Sequence, residues 1–197
     1  MKIVMFNLKG GQGKSSIALN LALSMNFDII SNDAISKLES VLSEDNFLSI
    51  KKDRDFPDVT EDLNIIYDLG GWLDTRVLKP LKEADLVIIP MINSEINNEV
   101  SINSINQVKN INNNIIIIAN RCKKNDYFII NELVNKYFPD NKFPIFEIMD
   151  TTAFEQMVVK RMSIQKIADL DPLLKHNYKK INEQFNNIIN FIRNFDV

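Results

Sequence analysis

Ten consecutive residues, Asn7-Leu8-Lys9-Gly10-Gly11-Gln12-Gly13-Lys14-Ser15-Ser16, hold the densest chemistry in the chain. Glycines let a backbone curl until successive N–H groups point at one anion, and a helix starting just beyond adds its partial positive end. In that geometry Gly10, Gly11, Gln12, Gly13 and Ser16 line phosphate oxygens. Lys14 reaches the β- and γ-phosphates of a nucleoside triphosphate, and the Ser15 hydroxyl ligates Mg²⁺. The alternative is a glycine-rich turn with two exposed lysines, which six specified positions between a strand and a helix argue against.

A second acidic signal follows at Ile65-Ile66-Tyr67-Asp68-Leu69-Gly70-Gly71, an apolar run ending in a carboxylate and two glycines. An aspartate at a strand's carboxyl end can hold a magnesium ion, and a glycine N–H can sense a γ-phosphate. Asp68 and Gly71 are the candidates, against the plainer reading of an Asp-x-Gly-Gly turn.

The ordinary phosphate-loop pattern has a glycine five residues before Gly13, where this chain has Leu8 followed by Lys9. The form Lys-Gly-Gly-x-Gly-Lys-Ser resembles the deviant Walker A loop of the ParA/MinD family of ATPases, and the compact length is closest to the small plasmid-partition proteins. The resemblance implies a homodimer that forms on binding Mg-ATP, with Lys9 touching nucleotide bound mainly by the partner subunit. A second cation there would complement charge on the transferred phosphoryl group. It further implies a carboxylate after the second strand that orients the attacking water, commonly within Asp-x-Asp-Pro. Here the segment is Ile29-Ile30-Ser31-Asn32-Asp33-Ala34-Ile35, with no proline and with Ser31 where the first carboxylate aligns. Asp33 either takes the catalytic role or caps a helix beginning near Ile35. Ala84 to Pro90 resembles the family's strand after this second motif. Ala119-Asn120-Arg121 resembles the strand end that meets adenine, since an amide can pair with a base edge and a guanidinium can stack on it; both residues could instead cap a loop.

These residues need a scaffold. Runs rich in branched apolar residues at Ile3–Phe6, Ile29–Ile30, Ile65–Tyr67, Leu86–Ile89, Ile115–Ala119 and Ile145–Ile148 predict strands, with an extra edge strand near Phe47–Ile50. Most do not alternate, as expected of parallel strands covered on both faces. Helical patterns occupy Lys14–Met25, Ile35–Leu42, Ser94–Lys109, Tyr127–Tyr137, Ala153–Val159 and Leu173–Phe195, and Asp53–Asp62 reads as a surface loop. The expectation is an α/β fold of P-loop type: one domain over residues 1–197 with a doubly wound, mostly parallel sheet flanked by helices.

Composition narrows the setting. With 197 residues, 45% hydrophobic, the chain can bury one sizeable core. A net charge of −3 leaves DNA contact to a local patch. Lys160, Arg161, Lys166, Lys175, Lys179 and Lys180 are that candidate, with interspersed Asp169, Asp171 and Glu183 favouring an ordinary mixed surface instead. Cys122, the one cysteine, cannot form an internal disulfide. No signal peptide or membrane-spanning run is read, so a cytoplasmic setting is expected. MinD-like membrane docking would need a basic amphipathic C-terminal helix. The face of Ile181, Phe185, Ile188 and Ile192 carries few cations, so packing on the sheet is expected.

The family resemblance implies a partition ATPase with a small DNA-binding, ParB-like adaptor, nucleoid-associated in that case. The alternative is a MinD-like positioning ATPase that recruits a protein or membrane without DNA. A small ATP-dependent ligase would need a second substrate signature, and none is read.

Overall fold

A computed structural model describes residues 1–33, 37–70 and 75–195. Among them, seven strands form one parallel sheet in the order β3-β2-β4-β1-β5-β6-β7. The strands are β1 (Lys2–Met5), β2 (Asp28–Ser31), β3 (Phe47–Ser49), β4 (Ile65–Asp68), β5 (Leu86–Met91), β6 (Ile115–Cys122) and β7 (Ile145–Met149). Each predicted run lies within or beside one of them, and Phe47–Ser49 takes the edge as expected.

The helices are α1 (Lys14–Met25), α2 (Leu78–Glu83), α3 (Glu95–Lys109), α4 (Asp126–Tyr137), α5 (Ala153–Lys160), α6 (Ile164–Ala168), α7 (Pro172–Asn177) and α8 (Lys179–Arg193). Alternate residues of β1 feed two cores. Ile3 and Met5 pack with α1, α5, α6 and α8, while Val4 and Phe6 pack with α2, α3 and α4. The sheet is therefore covered on both faces, as its unalternating apolar strands required.

Several expectations change. The helix expected over Ile35–Leu42 is, where described, a short 3₁₀ turn at Lys37–Ser40; residues 34–36 lie outside the described residues. The long helix expected from Leu173 to Phe195 breaks at Tyr178, which ends α7 and opens α8. The break lets α7 pack on α6 while α8 lies against β7, a turn that apolar spacing alone does not encode. Ile181, Phe185, Ile188 and Ile192 of α8 are all buried, so the apolar face does pack inward. The Asp53–Asp62 loop is pinned at its centre by buried Phe56, edge-on to Tyr67, and at one side by Arg76, whose Nη1 donates to Lys51 O and Arg54 O.

Candidate functional site

The glycine-rich turn leaves the end of β1 and enters α1 at Lys14, at the carboxyl edge of the sheet where open α/β folds place their ligands. Gly11 and Gly13 have φ of 79° and 90°, a region that residues with side chains seldom adopt. A Cβ on Gly13 would also lie 2.2 Å from Asn120 Nδ2, so glycine is demanded there twice.

The turn is tied from three directions. Asn7, fully buried, donates from Nδ2 to Pro90 O (2.8 Å) and Ser101 Oγ (2.9 Å), and its Oδ1 accepts from Lys9 N (2.8 Å). Leu8 N donates to Ser104 Oγ at 3.0 Å. Ser101 and Ser104 are fully buried on α3, so one helix face holds the first half of the turn. The second half is held by side chains at two strand ends. Gln12 Oε1 accepts from Ile92 N (2.8 Å), and Gln12 O accepts from Asn120 Nδ2 (2.8 Å). Buried amides paired this way fix a loop before any ligand arrives.

Lys14 is buried, with Nζ donating to Asn7 O (3.2 Å) and Lys9 O (3.3 Å). Burial pulls its pKa down, and the charges of Asp68 and Asp33 push it back up. Those two carbonyls hold the ammonium beneath the turn, where a phosphate would meet it. Asp68, 1% exposed, accepts from Ser15 Oγ at 2.6 Å through Oδ2, while its buried Oδ1 has no hydrogen-bond partner among the described residues. Burial pushes Asp68 up to about 6, against the opposing effects of the Ser15 hydrogen bond and the Lys14 charge. An orphaned carboxylate oxygen beside a serine hydroxyl suits a small hard cation with oxygen ligands. Among the described residues no group of three acidic, His or Cys side chains converges, so such a cation would draw its other ligands from phosphate and water.

Ser31 is fully buried at the end of β2. Its hydroxyl donates to Asp68 O (3.1 Å) and accepts from Asp33 N (3.1 Å), so it sets the Asp33 backbone beside the acidic strand end. Asn32 Oδ1 accepts from Gly70 N at 2.7 Å and ties the same two segments. Asp33 is close enough to act electrostatically on both Lys14 and Asp68. Gly71 lies outside the described residues, as does the helix start that Asp33 could cap.

Beyond the turn, a cleft of about 740 Å³ is lined by Ser16, Arg121, Asp150, Thr151, Glu155 and Tyr178, among others. Arg121 is exposed at its rim with φ of 52°. Asn120 is 2% exposed, and its amide is engaged at both ends, with Oδ1 accepting from Arg121 N at 2.9 Å. Lys9, Gly10, Gly11, Gln12, Gly13, Lys14, Ser15, Ser16, Asp33, Asp68, Asn120 and Arg121 thus gather at one edge of the sheet. Sequence reasoning quoted Asn7 within the motif without giving it a role, and did not find Ser101 and Ser104. Two serines one turn apart on the core-facing side of α3 were the available signal, because a buried hydroxyl needs a partner. Lys160, Arg161, Lys166, Lys175, Lys179 and Lys180 are all exposed, and Lys179 lies 4.0 Å from Glu183.

No protein-family model matches the chain, and no curated protein matches it in sequence. Solved structures do match. McdA from Cyanothece superposes with a TM-score of 0.63 at 15% identity, covering 93% of this chain and 98% of that one. A variant of that protein has been solved in complex with ATP. A ParA family ATPase from Chlorobium tepidum gives 0.60 at 17% identity, over 88% and 95% of the two chains. MinD from Aquifex aeolicus, in complex with MinC, gives 0.57 at 14%, over 82% and 86%. The chain therefore has the fold shared by the ParA, McdA and MinD proteins, which matches the resemblance read from its phosphate turn.

Proposed function

We propose that this chain is a ParA/MinD-type ATPase acting as one unit: a nucleotide-dependent switch that binds Mg-ATP between two copies of itself and serves to partition DNA. The observation that carries the reading is the constellation at the phosphate turn. Buried Lys14 sits beneath a loop fixed in advance, and Ser15 is paired with an aspartate that keeps one oxygen unpartnered among the described residues.

In this reading, backbone N–H groups of Gly10 to Ser15 cradle the phosphates and Lys14 neutralises charge on the β- and γ-oxygens. Ser15 and Asp68 hold Mg²⁺, which when bound offsets the charge of the phosphate oxygens. Lys9 reaches the nucleotide of the partner subunit, so ATP joins the dimer. Asp33 orients water for a slow hydrolysis that a ParB-like adaptor stimulates, and Gly71 senses the γ-phosphate. Arg121 covers the base in the adjoining cleft, while Asn120 holds the turn and keeps one amide hydrogen free for the base edge. The six exposed cations of α5 to α8 contact DNA phosphates without sequence preference. The setting is cytoplasmic, at the nucleoid.

One observation favours a second reading, a MinD-like positioning ATPase that recruits a protein without DNA. Val159, Met162, Leu170 and Leu173 are exposed among those cations, and apolar side chains add little to phosphate contacts. Titration with a fluorescent ATP analogue, with magnesium and with EDTA, tests the shared part; no magnesium-dependent binding would reject both readings. Filter retention of nonspecific duplex at low salt then separates them. Retention with ATP and not ADP supports partition, and none with either nucleotide rejects it.

A further inference from the structure

Between α2 and α3, on the face of the sheet opposite α1, lies a cavity of about 140 Å³. Phe6, Val77, Leu81 and Val108 form its floor, all buried, and Thr75 and Leu78 stand exposed at its mouth. An apolar cavity of about this size holds one six-membered ring. One buried polar atom at its wall lacks a partner. Gln107, on α3, donates from Nε2 to Asn103 Oδ1 at 3.4 Å, while its buried Oε1 accepts nothing among the described residues.

These two features select among occupants. Water held in a cavity needs two to four polar partners, and above this floor it would find a single buried acceptor. A purely apolar ring would fill the space and leave that acceptor unsatisfied, and an anion would set its charge against it. A ring carrying one O–H or N–H satisfies both, packing on Phe6 as aromatic pairs do. The cavity is also distinct from the nucleotide cleft, with which it shares no lining residue. It lies one turn along α3 from Ser104, which holds Leu8 N, and so sits behind the phosphate turn.

We infer that the cavity between α2 and α3 is a binding site for a small neutral aromatic molecule with a single hydrogen-bond donor, of the size and class of a phenol. Its ring rests on Phe6, Leu81 and Val108, and its donor meets Gln107 Oε1. The inference stands apart from nucleotide binding and is tested without nucleotide.

The probes are 4-fluorophenol and 4-fluorotoluene, rings of similar size with and without the donor, titrated into the full chain and followed by fluorine NMR. The phenol is expected to bind the wild type saturably. Gln107→Leu should cut the ratio of phenol to toluene affinity at least about tenfold, weakening the phenol while sparing the toluene. Leu78→Trp, at the exposed mouth, should block both rings without lowering the melting temperature. Arg121→Ala, in the nucleotide cleft, should change neither affinity. An unaltered ratio in Gln107→Leu would overturn the inference, as would full binding of both rings to Leu78→Trp. So would no saturable binding of the phenol, or a loss in Arg121→Ala equal to that in Gln107→Leu, which would place the ring in the nucleotide cleft.

Discussion

The phosphate turn and the cationic segment from Lys160 to Lys180 differ in how the fold treats their polar groups. At the turn, Asn7, Gln12, Lys14, Asp68, Ser101, Ser104 and Asn120 are buried, and every one hydrogen-bonds across elements. Along the segment, the cations project into solvent from four helices and the turn after α5, anchored beneath by Ile164, Ile167 and Ala168 and by the bond from Ile164 N to Asn20 Oδ1. A buried polar group left unpaired costs about 1 to 3 kcal/mol, whereas an exposed lysine constrains nothing. In the proposed function, chemistry that depends on sub-ångström placement falls to the first region and contacts that tolerate variation to the second.

Substitutions should separate the two regions sharply. Lys14→Ala should cut affinity for an ATP analogue about a thousandfold by titration, because no other cation occupies that buried position. Gly13→Ala should cost about a hundredfold, since it forces both a positive φ and the 2.2 Å approach to Asn120 Nδ2. Adding Asn120→Ala relieves the clash but removes the bond to Gln12 O, so the double variant should recover only part of the loss. Full recovery would show that the clash alone matters.

Asp68 sharpens the comparison through pH. Its pKa rises on folding from 3.8 to about 6, so the native state binds the proton more tightly than the unfolded chain does. The resulting penalty is absent below about 4, grows between the two values and is complete above about 6, where it reaches about 3 kcal/mol. Asp68→Asn should therefore melt higher than the wild type at pH 7.5 and lose that advantage near pH 4, while magnesium-dependent nucleotide binding disappears. A variant less stable at pH 7.5 would contradict the assigned cause. At the cationic segment, Lys160→Glu with Lys175→Glu should change stability by less than about 0.5 kcal/mol in urea denaturation and still weaken retention of duplex at low salt.

The same contrast governs what the sequence made legible. The central strands were visible because a parallel sheet covered on both faces writes its burial as unbroken apolar runs, as Ile115 to Ile118 does; the edge strand β3, mostly exposed, carries that signal only weakly. The phosphate turn was visible because positive φ at Gly11 and Gly13 has few solutions other than glycine. Ser101 and Ser104 stayed hidden because their partners lie more than ninety residues away in the chain, and local spacing carries no such contact. The break at Tyr178 was missed because apolar periodicity runs straight through it. Asn120 was marked from the resemblance as a base contact; its bond to Gln12 O, 108 residues away, could be seen only once the sheet was assembled.

Light scattering with ATP and magnesium tests the central claim most directly. The 22.7 kDa wild-type chain should double in mass with ATP and not with ADP, while Lys9→Ala, which keeps Lys14, Ser15 and Asp68, should bind the nucleotide and stay single. A wild type that binds ATP yet keeps the mass of one chain, or a Lys9→Ala variant that dimerises as the wild type does, would contradict it.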